Sequence, residues 1–164
     1  MTIVASPELV EWWTTPAGED LINAVSALSW TPADSLSSTA QLRRHYPDLT
    51  PEILNGTIDL VQARQRAVEK LGPASAHWFL TLAAVQQATP YAVTHYRSRR
   101  LLSSDSTIAQ PIHDATCSVG TEVAALVQAG STGELSGSDI DQARLAMARH
   151  NVPTVAFQEA DCLH

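Results

Sequence analysis

At 164 residues, 45% hydrophobic and 16% charged, the chain has the composition of an ordinary globular protein of one domain or two small ones. Ten Lys and Arg against seventeen Asp and Glu leave a net charge of -7, which argues against a broad phosphate-binding face on this portion. Two cysteines make no disulfide framework, and no apolar run approaches the about 18 residues of a membrane span. The opening residues carry Glu8 and Glu11 and no basic leader, so they do not read as a signal peptide, and the setting expected is reducing and cytoplasmic.

Residues 1 to 103 read as a helical subdomain. Five of the nine prolines follow Ser or Thr, at Ser6-Pro7, Thr15-Pro16, Thr31-Pro32, Thr50-Pro51 and Thr89-Pro90. A capping hydroxyl followed by proline in the first helical position suits that pairing, and Glu8, Glu19, Asp20 and Glu52 fall near the first turns, where negative charge is favoured. Leu21, Val25 and Leu28 mark one apolar stripe; Leu54, Ile58, Val61, Val68 and Leu71 mark a longer one that ends at Gly72-Pro73. A further helix is expected over Ser75 to Ala88 and another from Pro90 through Leu102. The tryptophans at 12, 13, 30 and 78 read as core or subdomain contacts. The cationic end of the last helix, at Arg97, Arg99 and Arg100, suits a helix C-terminus, and contact with RNA is the other reading of it. The six histidines show no metal-ligand spacing, and no metal site is expected. The boundary falls in Leu101 to Ser106, which leaves 104 to 164 as a second unit.

That second unit reads strand, tight turn, helix, strand. Ile108 to Ala115 is a short apolar run closed by Asp114, and Thr116-Cys117-Ser118-Val119-Gly120 is small enough for a ligand to approach the backbone. A helix from Thr121 carries Val123, Leu126 and Val127 and ends near Gly130. A second strand rises through Ser138 into Asp139, a helix follows, and Thr154 to Ala160 alternates as a third strand. Strand, helix, strand implies parallel pairs joined by right-handed crossovers. The N-terminus of a helix behind a tight turn attracts negative groups, and a carboxylate at the end of the second strand is placed for ribose hydroxyls. Asp139 follows Asp114 at close to the ~20-residue interval expected of that acid. Only Gly120 of a G-x-G-x-x-G fingerprint is present, so a cofactor without a pyrophosphate, S-adenosylmethionine, is favoured over a dinucleotide.

Asp114-Ala115-Thr116-Cys117-Ser118-Val119-Gly120-Thr121-Glu122 resembles the first motif, D-x-x-C-G-x-G-G/T-x, of class I S-adenosylmethionine-dependent methyltransferases. Gly137-Ser138-Asp139-Ile140-Asp141 with Arg144 through Asn151 resembles their second, and Ala160-Asp161-Cys162 their third. Within that superfamily the wording is closest to bacterial methyltransferases with a THUMP-like domain, which are similar to trimethylguanosine synthase and other RNA guanine-N2 methylases. The resemblance implies an α/β fold: the first half of a Rossmann-like domain, three parallel strands, behind the helical subdomain.

It also implies roles. Asp114 would face the methionine amine, and the backbone of Thr116, Cys117, Ser118 and Gly120 would line the methionyl part. Asp139 would take the ribose hydroxyls and Ile140 would pack on adenine, with Asp161 and the Cys162 amide reading the adenine edge. The acceptor implied is a base nitrogen in RNA, gripped by parts not in this chain. Ser118 stands where the family has glycine, so a Cβ must fit the turn. The Asn/Asp-Pro-Pro motif that follows the family's fourth strand is not in the sequence, so no catalytic residue is named and a truncated domain is expected.

Such a half leaves one edge of the first strand open, and either the chain is a fragment whose remainder covers that edge or two copies pair through it. Two other readings stand beside this one. Thr116 to Gly120 has the pattern of a nucleophile elbow, which needs an acid and then a histidine downstream, and only His150 and His164 follow. Alternatively the chain is a non-catalytic cofactor-binding or helical interaction module.

Overall fold

The computed structural model describes residues 5–103 and 109–162. The boundary expected around Ser104 and the start of the first strand at Ile108 lie outside the described residues.

The helices begin where local chemistry starts them. The helix α1 (Pro7–Trp13) is capped by the Ser6 hydroxyl, which accepts from the Leu9 N–H at 3.2 Å. Thr15 does the same for α2 (Pro16–Ser26), accepting from Gly18 N–H at 3.1 Å, and Thr50 for α4 (Pro51–Leu71), accepting from Ile53 N–H at 3.3 Å. Each takes up one donor that the first helical turn leaves unpaired, and proline in that turn has no donor to satisfy.

Two of the five expected caps differ. Thr31 does not start a helix: its hydroxyl and that of Ser29 donate to the Asp34 carboxylate at 2.6 and 2.7 Å, and α3 (Ser35–His45) begins only after that turn. Thr89 gives way to Pro90, which itself precedes α6 (Tyr91–Leu101).

The long helix expected over Ser75 to Ala88 is two pieces. A 3-10 turn spans Pro73–His77, the chain then runs extended, and Thr81 caps the short α5 (Leu82–Gln87) by accepting from Ala84 N–H at 3.1 Å. The Asp59 carboxylate, from α4, accepts from Leu82 N–H at 3.0 Å and fixes where that second piece starts.

The helix α4 is the axis of this region, burying Leu54, Thr57, Leu60, Val61, Ala63, Ala67 and Leu71. Val68, expected in the stripe, is 41% exposed. The buried face is set by small residues as much as large ones: a Cβ on Gly56 would fall 2.4 Å from Leu9, so α1 sits directly against the backbone of α4. Trp13 is 1% exposed and its indole N–H donates to Thr57 at 3.0 Å.

Beyond residue 108 the chain makes two consecutive parallel crossover units. The strand β1 (Ile112–Asp114) leads through α7 (Thr121–Gln128) to β2 (Leu135–Asp139), and this through α8 (Gln142–Asn151) to β3 (Ala156–Glu159). The sheet order is β1-β2-β3, with Asp114 beside Gly137 and Gly137 beside Phe157. This is the α/β, Rossmann-like half-domain of three parallel strands that the sequence implied. Its small core comprises Cys117, Val123, Ala124, Leu145, Val152 and Val155.

The two regions are joined through α8. One side of it, with Leu145, belongs to the sheet's core, while Ala143 and Met147 enter the helical core beside Trp13 and Leu9. Asn151 locks the joint: its Oδ1 accepts from Phe79 N–H at 2.7 Å, and its amide donates to the carbonyls of Phe79 and Val119, both at 3.0 Å. On the other side α6 lies along α7, where Arg97 pairs with Glu122 at 3.2 Å.

Candidate cofactor crevice

The turn after β1 is built from its own residues. Asp114 Oδ1 accepts from Thr116 N–H at 3.2 Å, Cys117 N–H donates to the Ser138 carbonyl at 2.9 Å, and Gly120 N–H donates to the Cys117 carbonyl at 2.8 Å. Ser118 N–H donates to Asp139 Oδ2 at 2.9 Å. Four amides of the turn are therefore engaged inside the protein. These bonds fix the shape of the turn.

Ser118 carries backbone strain, and two glycines let the turn close. Ser118 has φ 49°, the left-handed region that costs an L-residue roughly 1 kcal/mol or more. Its sequence position, where the resembling family has glycine, and its conformation agree. Gly120 has φ 86°, and a Cβ there would meet Val152, Ala148 and Phe157 on the core side. Gly137 is needed for another reason: a Cβ would fall 2.9 Å from both Cys117 and Phe157. Its absence lets the turn and β3 close over β2.

In front of the turn lies a crevice of about 910 Å³. Asp114, Thr116, Cys117, Ser118, Asp139 and Ile140 all line it, from the C-terminal ends of β1 and β2. Gly120 turns inward behind it. Asp161 and Cys162 follow β3, are exposed, and do not line it. Asp139 is held from both sides, since its Oδ1 also accepts from Asp141 N–H at 3.0 Å. Ile140, the next residue, stands 68% exposed at the wall. Asp141 turns away to cap α8, accepting from Ala143 and Arg144 N–H at 2.9 and 3.1 Å.

The field inside the crevice is negative. Burial raises the pKa of Asp114 above its ordinary value, and the neighbouring carboxylates Glu122 and Asp139 push it the same way. Burial, with Asp114 and Asp139, drives the Cys117 thiol up to about 12, so it stays protonated. With a serine held by its backbone and a protonated thiol, nothing in the turn has the base that a nucleophile elbow requires.

Several lining residues were not among the candidates. Glu122 stood in the first motif without a role. Gln87, Ala88 and Thr89 come from the helical region, as does Arg97. Arg144 joins the two walls, donating to Gln87 at 3.1 Å and pairing with Asp141 at 3.5 Å. His113 bridges Ser136 and Ser138 at 2.8 and 2.9 Å on β2. The stretch from Gln86 through Arg97 and Arg100 resembles the family's lead-in to the first motif, but it is packing of α6 on α7 that brings Arg97 to the crevice and the bond from Arg144 that ties Gln87 to it.

Consecutive parallel crossovers with a crevice outside the carboxyl ends of the strands define a cofactor-binding α/β half-fold, the place where open sheets of this kind take their ligands. Two curated proteins, from two strains of Mycobacterium tuberculosis, are each 39% identical to this chain over 132 residues, covering 75% of it. Both bear the name uncharacterized S-adenosylmethionine-dependent methyltransferase. The chain spans about a third of their length, 34%. No family profile matches the chain, and no solved structure does.

Proposed function

We propose that the crevice holds S-adenosylmethionine and that this chain supplies the cofactor-binding part of an S-adenosylmethionine-dependent methyltransferase. The observation that carries the reading is the convergence of Asp114, Glu122 and Asp139 on one crevice, where burial first and the two neighbouring carboxylates after it raise the Asp114 pKa. Such a site favours positive charge, and this cofactor brings two, an ammonium and a sulfonium. Asp114 and Glu122 suit the ammonium. Asp139, fixed by Ser118 and Asp141, keeps lone pairs on both oxygens for ribose hydroxyls. Ile140 offers an apolar surface to adenine, which gives its exposure a purpose. The methionine carboxylate has Arg97 and Arg144 nearby, since the amides of Thr116, Cys117, Ser118 and Gly120 are taken.

The bound sulfonium supplies an activated methyl group, and what the protein adds is orientation and exclusion of water. No residue of this chain is given a catalytic role. The finer reading takes the acceptor as an RNA base, with the catalytic Asn/Asp-Pro-Pro motif supplied outside this stretch, in a THUMP-like enzyme, and the motif resemblance supports it; the cytoplasmic setting is read from the cysteines and the acidic opening residues. No helix among the described residues is long and apolar enough to cross a membrane. The outer edge of β1 has no strand partner among the described residues, and a second copy pairing there is the partner reading.

Calorimetry with S-adenosylmethionine tests the cofactor. Asp139→Ala would loosen the turn as well as the site, so Asp114→Asn is the cleaner variant: Asn keeps an oxygen for Thr116 N–H and removes the charge. Saturable binding by the wild type, weakened at least tenfold in Asp114→Asn with an unchanged circular dichroism spectrum, is expected. A folded wild-type chain that gives no heat overturns the reading.

A further inference from the structure

The helix α8 lines a different cleft at its other end. Its first residues face the crevice, whereas His150, about two turns along, faces a cleft of about 370 Å³ walled by Trp13, Glu19, Asn23, Arg64 and Phe79 among others. Neither the motif resemblance nor the proposed cofactor uses this cleft.

Arg64 is the unusual group in it. Its Nε donates to the Trp78 carbonyl at 2.8 Å and one Nη to the His77 carbonyl at 3.0 Å, and its guanidinium carbon lies 5.5 Å from the Phe79 ring centroid. Of the five N–H donors of a guanidinium, two are thereby taken and three are left. The ion pairs among the described residues are Arg97 with Glu122 and Arg144 with Asp141, so Arg64 has no carboxylate partner there. Burial lowers its pKa to about 10, with no acidic neighbour working the other way. A half-buried cation without a counterion is costly unless an anion can reach it, and the cleft is the opening through which one can.

The rest of the wall suits an anion. The His150 ring stacks on Phe79 at 3.6 Å and 8°, which fixes its plane beside Arg64. Burial first, and Arg64 second, lower its pKa, so it is neutral when the cleft is empty and gains a second donor by taking up a proton as an anion binds; a hydrogen bond to the His77 backbone opposes the lowering. Asn23 on α2 adds an amide, and Glu19 on the same helix sets a negative charge at the exposed mouth.

We propose that this cleft is an oxyanion site, in which Arg64, held over Phe79, and His150 take the phosphate group of a small phosphorylated molecule. Its volume is more than one phosphate fills, so the group is carried on something larger. The net charge of -7 and Glu19 at the mouth disfavour a polynucleotide.

The test follows the His150 imidazole and the Arg64 Nε–H by NMR while inorganic phosphate, and separately a nucleoside monophosphate, is titrated at ionic strength matched with chloride. Saturable shifts at both groups are expected, with the His150 pKa higher in phosphate because a bound anion offsets Arg64. The other ionisable residues in the cleft are His77, which meets His150 through its backbone, and Glu19. Arg64→Gln weakens the site tenfold or more, the loss of a charge-assisted hydrogen bond. Glu19→Gln, on an exposed helix position, tightens it about threefold. If Arg64→Gln does not fold, the Glu19 variant decides alone. Phosphate acting no differently from chloride, an unchanged affinity in Arg64→Gln, or no tightening in Glu19→Gln overturns the site. A single-stranded oligonucleotide shifting the same resonances at lower concentration than the monophosphate overturns the small-molecule assignment.

Discussion

The helical region and the crossover region are held together by different means. Between 5 and 103, large apolar side chains and hydroxyl caps do the work, with Leu9, Trp13, Leu21, Val25, Leu60 and Leu80 all nearly inaccessible. Between 109 and 162 the apolar core is small, and side-chain carboxylates and amides bonded to backbone fix the shape: Asp139 to Ser118 and Asp141, Asp114 to Thr116, Asn151 to Phe79 and Val119. A packed core tolerates substitution of similar volume, whereas each backbone-fixing side chain answers to one geometry. The half that is proposed to bind is the half whose form is specified by polar atoms.

Four variants put numbers on that contrast. Trp13→Ala removes the largest buried side chain of the helical core together with its bond to Thr57, and about 3–5 kcal/mol of stability should go with it in urea unfolding. Asn151→Ala leaves a buried N–H and two carbonyls at the joint without partners, at a cost of about 2–4 kcal/mol; a loss no larger than a surface change would mean that the two regions are coupled by α8 packing alone.

Asp114→Asn should go the other way. The folded carboxyl binds its proton more tightly than the unfolded one, so ionising it costs stability. That cost is absent below the ordinary pKa of 3.8 and is reached in full as the pH passes the raised folded value, so the variant melts higher than wild type at neutral pH and not at pH 3 to 4. The same substitution should stabilise the fold and empty the crevice. Smallest is Ser118→Gly, which relieves the left-handed residue and should add about 0.5–1 kcal/mol, since only the backbone of Ser118 holds the turn.

What could be read from the sequence follows the same division. Ser6, Thr15 and Thr50 announced their helices because a cap acts within three residues. The three parallel strands were legible from the order of short apolar runs and turns, and the strain at Ser118 from a serine where glycine was expected. The buried face of α4 was misjudged at Val68, because Gly56, Ala63 and Ala67 pack closely while scarcely registering as apolar. The division of Ser75 to Ala88 depends on Asp59 and Arg64 binding backbone across α4, and no local pattern carries that. Nor does any pattern join Asn151 to Phe79 or Gln87 to Arg144, whose partners lie in different regions of the chain.

The two free cysteines differ in a way that makes the turn a clock. Cys162 stands open to solvent, whereas Cys117 lies under the turn with its thiol held protonated. An alkylating reagent added to the native chain would mark the first at once and the second only in moments when the turn lifts from β2. The lag between the two marks, read by mass, reports how much of the time the crevice floor is open, and at reagent concentrations where it stops shortening it becomes the opening rate itself.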